Sequence, residues 1–184
     1  ESTFKPVQDA TELKGLVGDL VSHPTGRKPS VPEADAHRIS QGIEKLNGAR
    51  ILLAEDNDIN QQVATELLES AGIRVCVARN GQEVINVLKE SKEGGEFDAV
   101  LMDIQMPEMD GYMTTMEIRK WQHQTGAIPI IAMTAHAMDS ELRKCVNSGM
   151  NDHITKPIDP DALFSTLVKW IKPINKAQGA PNPE

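Results

Sequence analysis

The stretch "AVLMDIQMPEMDGYMTT", residues 99–115, runs four apolar residues into an aspartate, Asp103, and then into a turn holding Pro107, Asp110 and Gly111. A short apolar run that ends in turn residues and leads into a helical pattern reads as a buried parallel strand feeding a helix. Asp103 then stands at the carboxyl end of that strand. There it is a turn-making carboxylate, a metal ligand or a nucleophile.

Working outward, the same alternation recurs on both sides. "RILLAE", "IRVCVA", "FDAVLMD", "IPIIAMT" and "DHITK" are five strand candidates separated by helical patterns. The apolar positions Ile59, Val63 and Leu67, then Val84 and Leu88, then Met138, Leu142 and Cys145, and finally Leu163, Leu167 and Ile171 each predict one buried stripe, with a further helix from about Gly111 to Gln122. Gly72 and Gly149 suit helix C-caps, and Asp159 before Pro160 suits an N-cap with proline in the first turn. Right-handed crossovers then make a flavodoxin-like, doubly wound (βα)5 unit, an α/β fold with a five-stranded parallel sheet in order 2-1-3-4-5.

Bulk properties fit one such domain with flanking segments. The chain has 184 residues, 39% hydrophobic and 25% charged, with a formal net charge of -8. The acidic balance argues against a broad nucleic-acid or anionic-membrane face and favours a partner carrying a cation or metal. Cys76 and Cys145 lack metal-site spacing and read as reduced core thiols. No apolar run approaches the ~20 residues that span a bilayer, so the expected setting is the cytoplasm, whether or not a longer parent is membrane-anchored. Residues 22–49, rich in Pro, Gly and charge, read as a linker, 50–173 as the folded domain and 174–184 as a flexible tail.

In a doubly wound sheet the carboxyl ends of the strands form the binding rim. Here they carry Glu55 and Asp56 after the first strand, Asp103 after the third, Thr134 after the fourth and Lys156 after the fifth. Three converging carboxylates repel one another by about 4 kcal/mol per pair at 4 Å and an effective dielectric of 20. A hard divalent cation with open positions, Mg2+, relieves that repulsion. A carboxylate beside Mg2+, an ammonium and a hydroxyl is equipped for in-line phosphoryl transfer onto the carboxylate.

With those residues in place, "RILLAEDNDINQQVA", "FDAVLMDIQMPEMDGY", "IPIIAMTAHA" and "GMNDHITKPI" together resemble a response-regulator receiver domain over residues 50–173, of the type attached to hybrid sensor histidine kinases. The resemblance implies that Asp103 accepts a phosphoryl group from a phosphohistidine on a histidine kinase core or histidine phosphotransfer domain. It implies Mg2+, with Mn2+ an acceptable substitute, held by Glu55, Asp56, Asp103 and the backbone carbonyl of Gln105, Glu55 acting mainly through water. Thr134 and Lys156 would hold the phosphoryl oxygens, and the Lys156–Pro157 bond would be cis. His153 occupies a position where relatives often carry an aromatic switch residue that follows Thr134, and His136 and Gln105 would tune the lifetime of the acyl phosphate. Signalling would run through conformational change, onward phosphotransfer or self-association, without nucleic acid or direct membrane contact. Enzymatic activity would be limited to self-phosphorylation and self-dephosphorylation.

The opening "FKPVQDATELKGLVGDLV" aligns with "TKPIDPDALFSTLVKWIK", setting Lys5-Pro6-Val7 on Lys156-Pro157-Ile158 and Leu20 on Ile171. This internal repeat makes residues 1–21 the expected last loop and helix of a truncated upstream receiver. Two other functions compete. A receiver that acts by protein contact without phosphorylation would not need Glu55, Asp56, Asp103, Thr134 and Lys156 together. An aspartate-nucleophile phosphatase of the haloacid dehalogenase type would want an aspartate two residues after Asp103, where this chain has Gln105.

Overall fold

The computed structural model describes residues 42–91, 97–121, 124–135 and 138–172. Five strands, β1 (Arg50–Ala54), β2 (Arg74–Ala78), β3 (Ala99–Asp103), β4 (Ile130–Thr134) and β5 (Asp152–Thr155), form a parallel sheet in order β2-β1-β3-β4-β5. Between and after them come α1 (Asp58–Ser70), α2 (Gly81–Glu90), α3 (Gly111–Arg119), α4 (Asp139–Ser148) and α5 (Pro160–Trp170). The strand order is the one the sequence predicts.

The sheet buries both faces because its central strands are apolar except at their ends, where Arg50, Asp103 and Thr134 stand. Along β1, Ile51 and Leu53 face a core shared with Leu68 of α1 and Leu163 and Leu167 of α5. Leu52 and Ala54 face the opposite core with Val84 and Leu88 of α2, Ile118 of α3 and Cys145 of α4. The period-two alternation of the strand therefore feeds two cores, one per layer of helices.

Side-chain caps set the starts of α1, α2, α3 and α5. Asn57 accepts from Ile59 N and Asn60 N, Asn80 from Glu83 N, Asp110 from Met113 N, and Asp159 from Ala162 N, with Pro160 in the first turn. Gly149 ends α4 at φ 95°, and Gly72 follows α1 at φ 74°, both in the left-handed region where glycine costs least.

Two expected stripes are corrected. On α1 the buried residues are Ala64 and Leu68, while Ile59 is 73% and Val63 47% exposed. Four-residue spacing fits both neighbouring rows of one helix, and the row one position further round meets the sheet. On α4, Cys145 is buried but Met138 lies outside the helix, at its cap position, and is exposed.

The expected linker also loses its last residues to the domain. Residues 42–46 are helical, and Leu46 and Ala49 are buried in the core that α1 and α5 cover. Gly48 N donates to Gly72 O, and Arg74 N donates to Ala49 O. The segment preceding β1 is thus stitched to β2 by backbone bonds that composition does not reveal. Residues 1–21 and the 174–184 tail lie outside the described residues. Among the described residues no helix is long and apolar enough to cross a membrane, and both cysteines are free thiols.

Candidate functional site

Parallel strands end at one rim, so residues far apart in sequence meet there. Glu55 follows β1 directly, and its amide extends the ladder by donating to Ala78 O. The side chain is 1% exposed. Oε2 accepts from Lys156 Nζ at 2.6 Å, and Oε1 accepts from Asn60 Nδ2 at 3.0 Å and Asn57 N at 3.3 Å. Asn57, the cap of α1, and Asn60, in its first turn, therefore fix one edge of the carboxylate while Lys156 fixes the other. Gln61 Nε2 donates to the Glu55 carbonyl at 2.6 Å.

Asp103 ends β3 at 5% exposure. Oδ2 accepts from Lys156 Nζ at 2.7 Å, and Oδ1 accepts from Gln105 N at 3.2 Å. The loop that follows is tightly wound, with Met109 N donating to Pro107 O at 2.7 Å around Glu108 at φ 65°. It closes at Gly111, whose amide donates to Ile104 O. A Cβ on Gly111 would collide with the Asp103 carbonyl, so glycine lets α3 begin directly against the end of β3.

Lys156 reaches inward from the end of β5. Its amide donates to Thr134 O at 2.7 Å, and the Lys156–Pro157 bond is cis. Thr134, 3% exposed at the end of β4, donates its hydroxyl to Glu141 Oε2 at 3.1 Å. Glu55, Asp56, Asp103, Gln105, Thr134, Glu141 and Lys156 all line one open cleft of about 470 Å³.

The cleft is short of positive charge. Burial is the main cause that raises the Asp103 carboxyl above its ordinary pKa, with Glu55 adding to it and Lys156 opposing it. Burial works against the charged form of Lys156, yet its bonds to Asp103 and Glu55 outweigh that and raise its pKa. One ammonium thus serves two buried carboxylates, with Asp56 exposed beside them. Carboxylate oxygens of Glu55, Asp56 and Asp103 lie within 4.8 Å of one another. All are hard oxygen donors, and exposed Asp56 leaves solvent access for an ion that retains waters. This donor set fits Mg2+.

The structure thus gathers Glu55, Asp56, Asp103, Gln105, Thr134 and Lys156 at one rim. Of Gln105 it is the backbone N–H that meets Asp103. Glu55 is held by a direct ion pair to Lys156. His153 lies on β5, its side chain 38% exposed and Nδ1 3.8 Å from Asp152 Oδ1. His136 lies outside the described residues. Sequence reasoning missed Asn57, Asn60, Gln61 and Glu141. The two asparagines carry a signal, since Asn at a helix start is a capping residue, but Glu141 carries none beyond its place in a first turn.

A parallel sheet of this order, with an acidic, lysine-bearing cleft at its carboxyl rim, defines a flavodoxin-like domain with a polar site at its switch point. The family model that matches residues 51–168 is that of the response regulator receiver domain. The chain belongs to that family. A hybrid signal transduction histidine kinase of Dictyostelium discoideum is 40% identical over 150 residues, covering 78% of this chain and 9% of the kinase. The chain spans only about a tenth of the length of the curated histidine kinases it matches first. Among solved structures, the receiver domain of a Pseudomonas aeruginosa sensor histidine kinase, crystallised with magnesium coordinated in its active site cleft, is 37% identical with a TM-score of 0.60, covering 67% of this chain and 97% of that one. The receiver domain of Saccharomyces cerevisiae Ssk1, crystallised with the histidine phosphotransfer protein Ypd1, is 32% identical with a TM-score of 0.62, covering 68% of this chain and 90% of that one.

Proposed function

We propose that Asp103 is the phosphoacceptor of this receiver domain and takes a phosphoryl group from the phosphohistidine of a histidine kinase core or histidine phosphotransfer domain. The observation that carries this is the pairing of a buried, solvent-reachable Asp103 with Lys156 at 2.7 Å in a cleft shared with Glu55 and Asp56. An Asp103 carboxylate oxygen attacks phosphorus in line, forming the O–P bond as the N–P bond of the donor breaks, and the imidazole leaves and is protonated from solvent. Lys156 Nζ, released from one carboxylate oxygen, turns to a phosphoryl oxygen, and the Thr134 hydroxyl donates to another. Glu55, Asp56, Asp103 and the Gln105 carbonyl are the groups assigned to Mg2+, which when bound neutralises the phosphoryl oxygens; Mn2+ is an acceptable substitute. His153 takes the switch position on β5.

We further assign the chain to a hybrid kinase, to the cytoplasm and to a phosphotransfer protein as partner; the hybrid kinase of Dictyostelium discoideum supports the first of these and the Ssk1 complex with Ypd1 the last. Residues 1–21 are assigned to the end of an upstream receiver on the internal repeat. Acetyl phosphate or beryllofluoride with Mg2+ is expected to shift the amide resonances of Asp103, Thr134 and Lys156 in the wild type and not in Asp103→Asn. Equal responses of the two proteins would remove Asp103 from this role.

A further inference from the structure

Glu141 lines the same cleft as Asp103 and comes from the helix layer rather than from a strand end. It is the third residue of α4, and its carboxylate accepts the Thr134 hydroxyl at 3.1 Å. Among the described residues the start of α4 is otherwise held by backbone bonds, Glu141 N and Leu142 N donating to Met138 O. Met138 stands at the cap position and offers no side-chain bond to the first turn, where other helices of this sheet use Asn or Asp. The Thr134–Glu141 bond is therefore a side-chain tie between the end of β4 and the first turn of α4.

We propose that Glu141 is a positioning residue that holds the Thr134 hydroxyl in the unphosphorylated domain and loses it when phosphoryl oxygens compete for the same proton, so that the first turn of α4 follows the state of Asp103. This rests on Asp103 being the phosphoacceptor. A hydroxyl has one proton to donate. Once it turns to a phosphoryl oxygen, Glu141 keeps a full negative charge in a cleft that has just gained more of the same sign, and both effects drive it outward. The movement is expected to reach the α3–α4 seam, because the Glu141 charge helps to raise the pKa of both the Tyr112 phenol and the Cys145 thiol. The same competition works in reverse, since an undisturbed Thr134–Glu141 bond is a cost that every phosphorylation must meet.

The test titrates beryllofluoride with Mg2+ into wild type, Glu141→Ala, Glu141→Gln, Thr134→Val and the Thr134→Val, Glu141→Ala double variant, followed by amide resonances. Wild type is expected to move the amides of residues 139–143. Glu141→Ala is expected to bind beryllofluoride roughly three- to tenfold more tightly, the equivalent of one lost competing hydrogen bond, with its α4 amides displaced before any addition. Glu141→Gln keeps an acceptor without the charge and is expected to fall between the two; it also serves as the readout if the alanine variant does not fold. In the Thr134→Val background the hydrogen-bond part of the gain from Glu141→Ala is expected to vanish, leaving only the smaller part that comes from removing a negative charge. Wild-type affinity with undisplaced α4 amides in both Glu141 variants overturns the proposal, as does an equal gain without the Thr134 hydroxyl. A wild type that responds no differently from Asp103→Asn overturns the phosphoacceptor assignment beneath it, and the proposal with it.

Discussion

Lys156 places its ammonium 2.6 Å from Glu55 Oε2 and 2.7 Å from Asp103 Oδ2, and both carboxylates are buried. Replacing it with methionine keeps much of the stem and strands two buried charges. Breaking a buried pair in this way costs about 3 kcal/mol. The loss has a definite pH dependence. Burial already holds Asp103 above its ordinary pKa, so the ionised form opposes folding, and its penalty grows as pH rises through that raised value. Without Lys156 the value rises further, so protonation relieves the strain sooner as pH falls. Lys156 itself stays charged throughout this range, because its raised pKa keeps its proton in place until well into alkali, so the change with pH comes from Asp103. Urea unfolding is expected to show the wild type more stable than Lys156→Met at pH 7, with the gap narrowing at pH 5. At this scale Asp103 and Thr134 were legible because each ends an apolar run, and Lys156 because it closes the last strand candidate just before Pro157. Asn60 and Glu141 were not, because a helical residue's distant partner depends on which way its helix is turned.

That rotation is an element-scale property, and α1 shows how it escapes the sequence. Ile59, Val63 and Leu67 form one row at four-residue spacing, and Ala64 and Leu68 form part of the next. Local periodicity cannot choose between rows only one residue apart. The choice is made by the cap, where Asn57 starts the helix while accepting from Ile59 N and Asn60 N, and by the adjoining Glu55 site, to which Asn60 and Gln61 are bound. Those bonds fix the helix so that Leu68 enters the core and Ile59 faces solvent. Leu68→Ala is accordingly expected to cost about 2–5 kcal/mol, and Ile59→Ser to stay within about 0.5 kcal/mol of wild type. Thermal or urea unfolding of the two variants decides between the rows, since the opposite ranking would put Ile59 inside. The central strands β1, β3 and β4 suffered no such ambiguity, because they are buried on both faces and any register of apolar residues reads as a strand.

At the scale of the whole molecule the site exists only when the sheet does. Lys156 and Glu55 are 101 residues apart in sequence and Lys156 and Asp103 are 53 apart, yet the parallel order β2-β1-β3-β4-β5 brings their ends together. The topology was legible from alternation of strand and helix patterns, whereas the true start of the domain was not, because Leu46 and Ala49 lie in a stretch whose Pro, Gly and charge read as linker. An ion held by Glu55, Asp56 and Asp103 therefore binds the folded chain and has no comparable site on the unfolded one, so its binding free energy adds to stability. For one site that addition is about 2.7 kcal/mol at a free concentration of one hundred times Kd. It also removes part of the repulsion among three carboxylates that one lysine leaves unbalanced. Melting in Mg2+ against chelator is expected to raise the wild-type Tm by several degrees, with the shift growing with the logarithm of Mg2+ concentration. In Asp56→Asn, which lightens the acidic cluster and leaves the buried pair with Lys156 in place, the unliganded domain is expected to melt at or above the wild-type temperature and the Mg2+ shift to shrink to a small fraction. A Mg2+ shift of wild-type size in that variant would place the cation elsewhere on an acidic surface rather than among these three carboxylates.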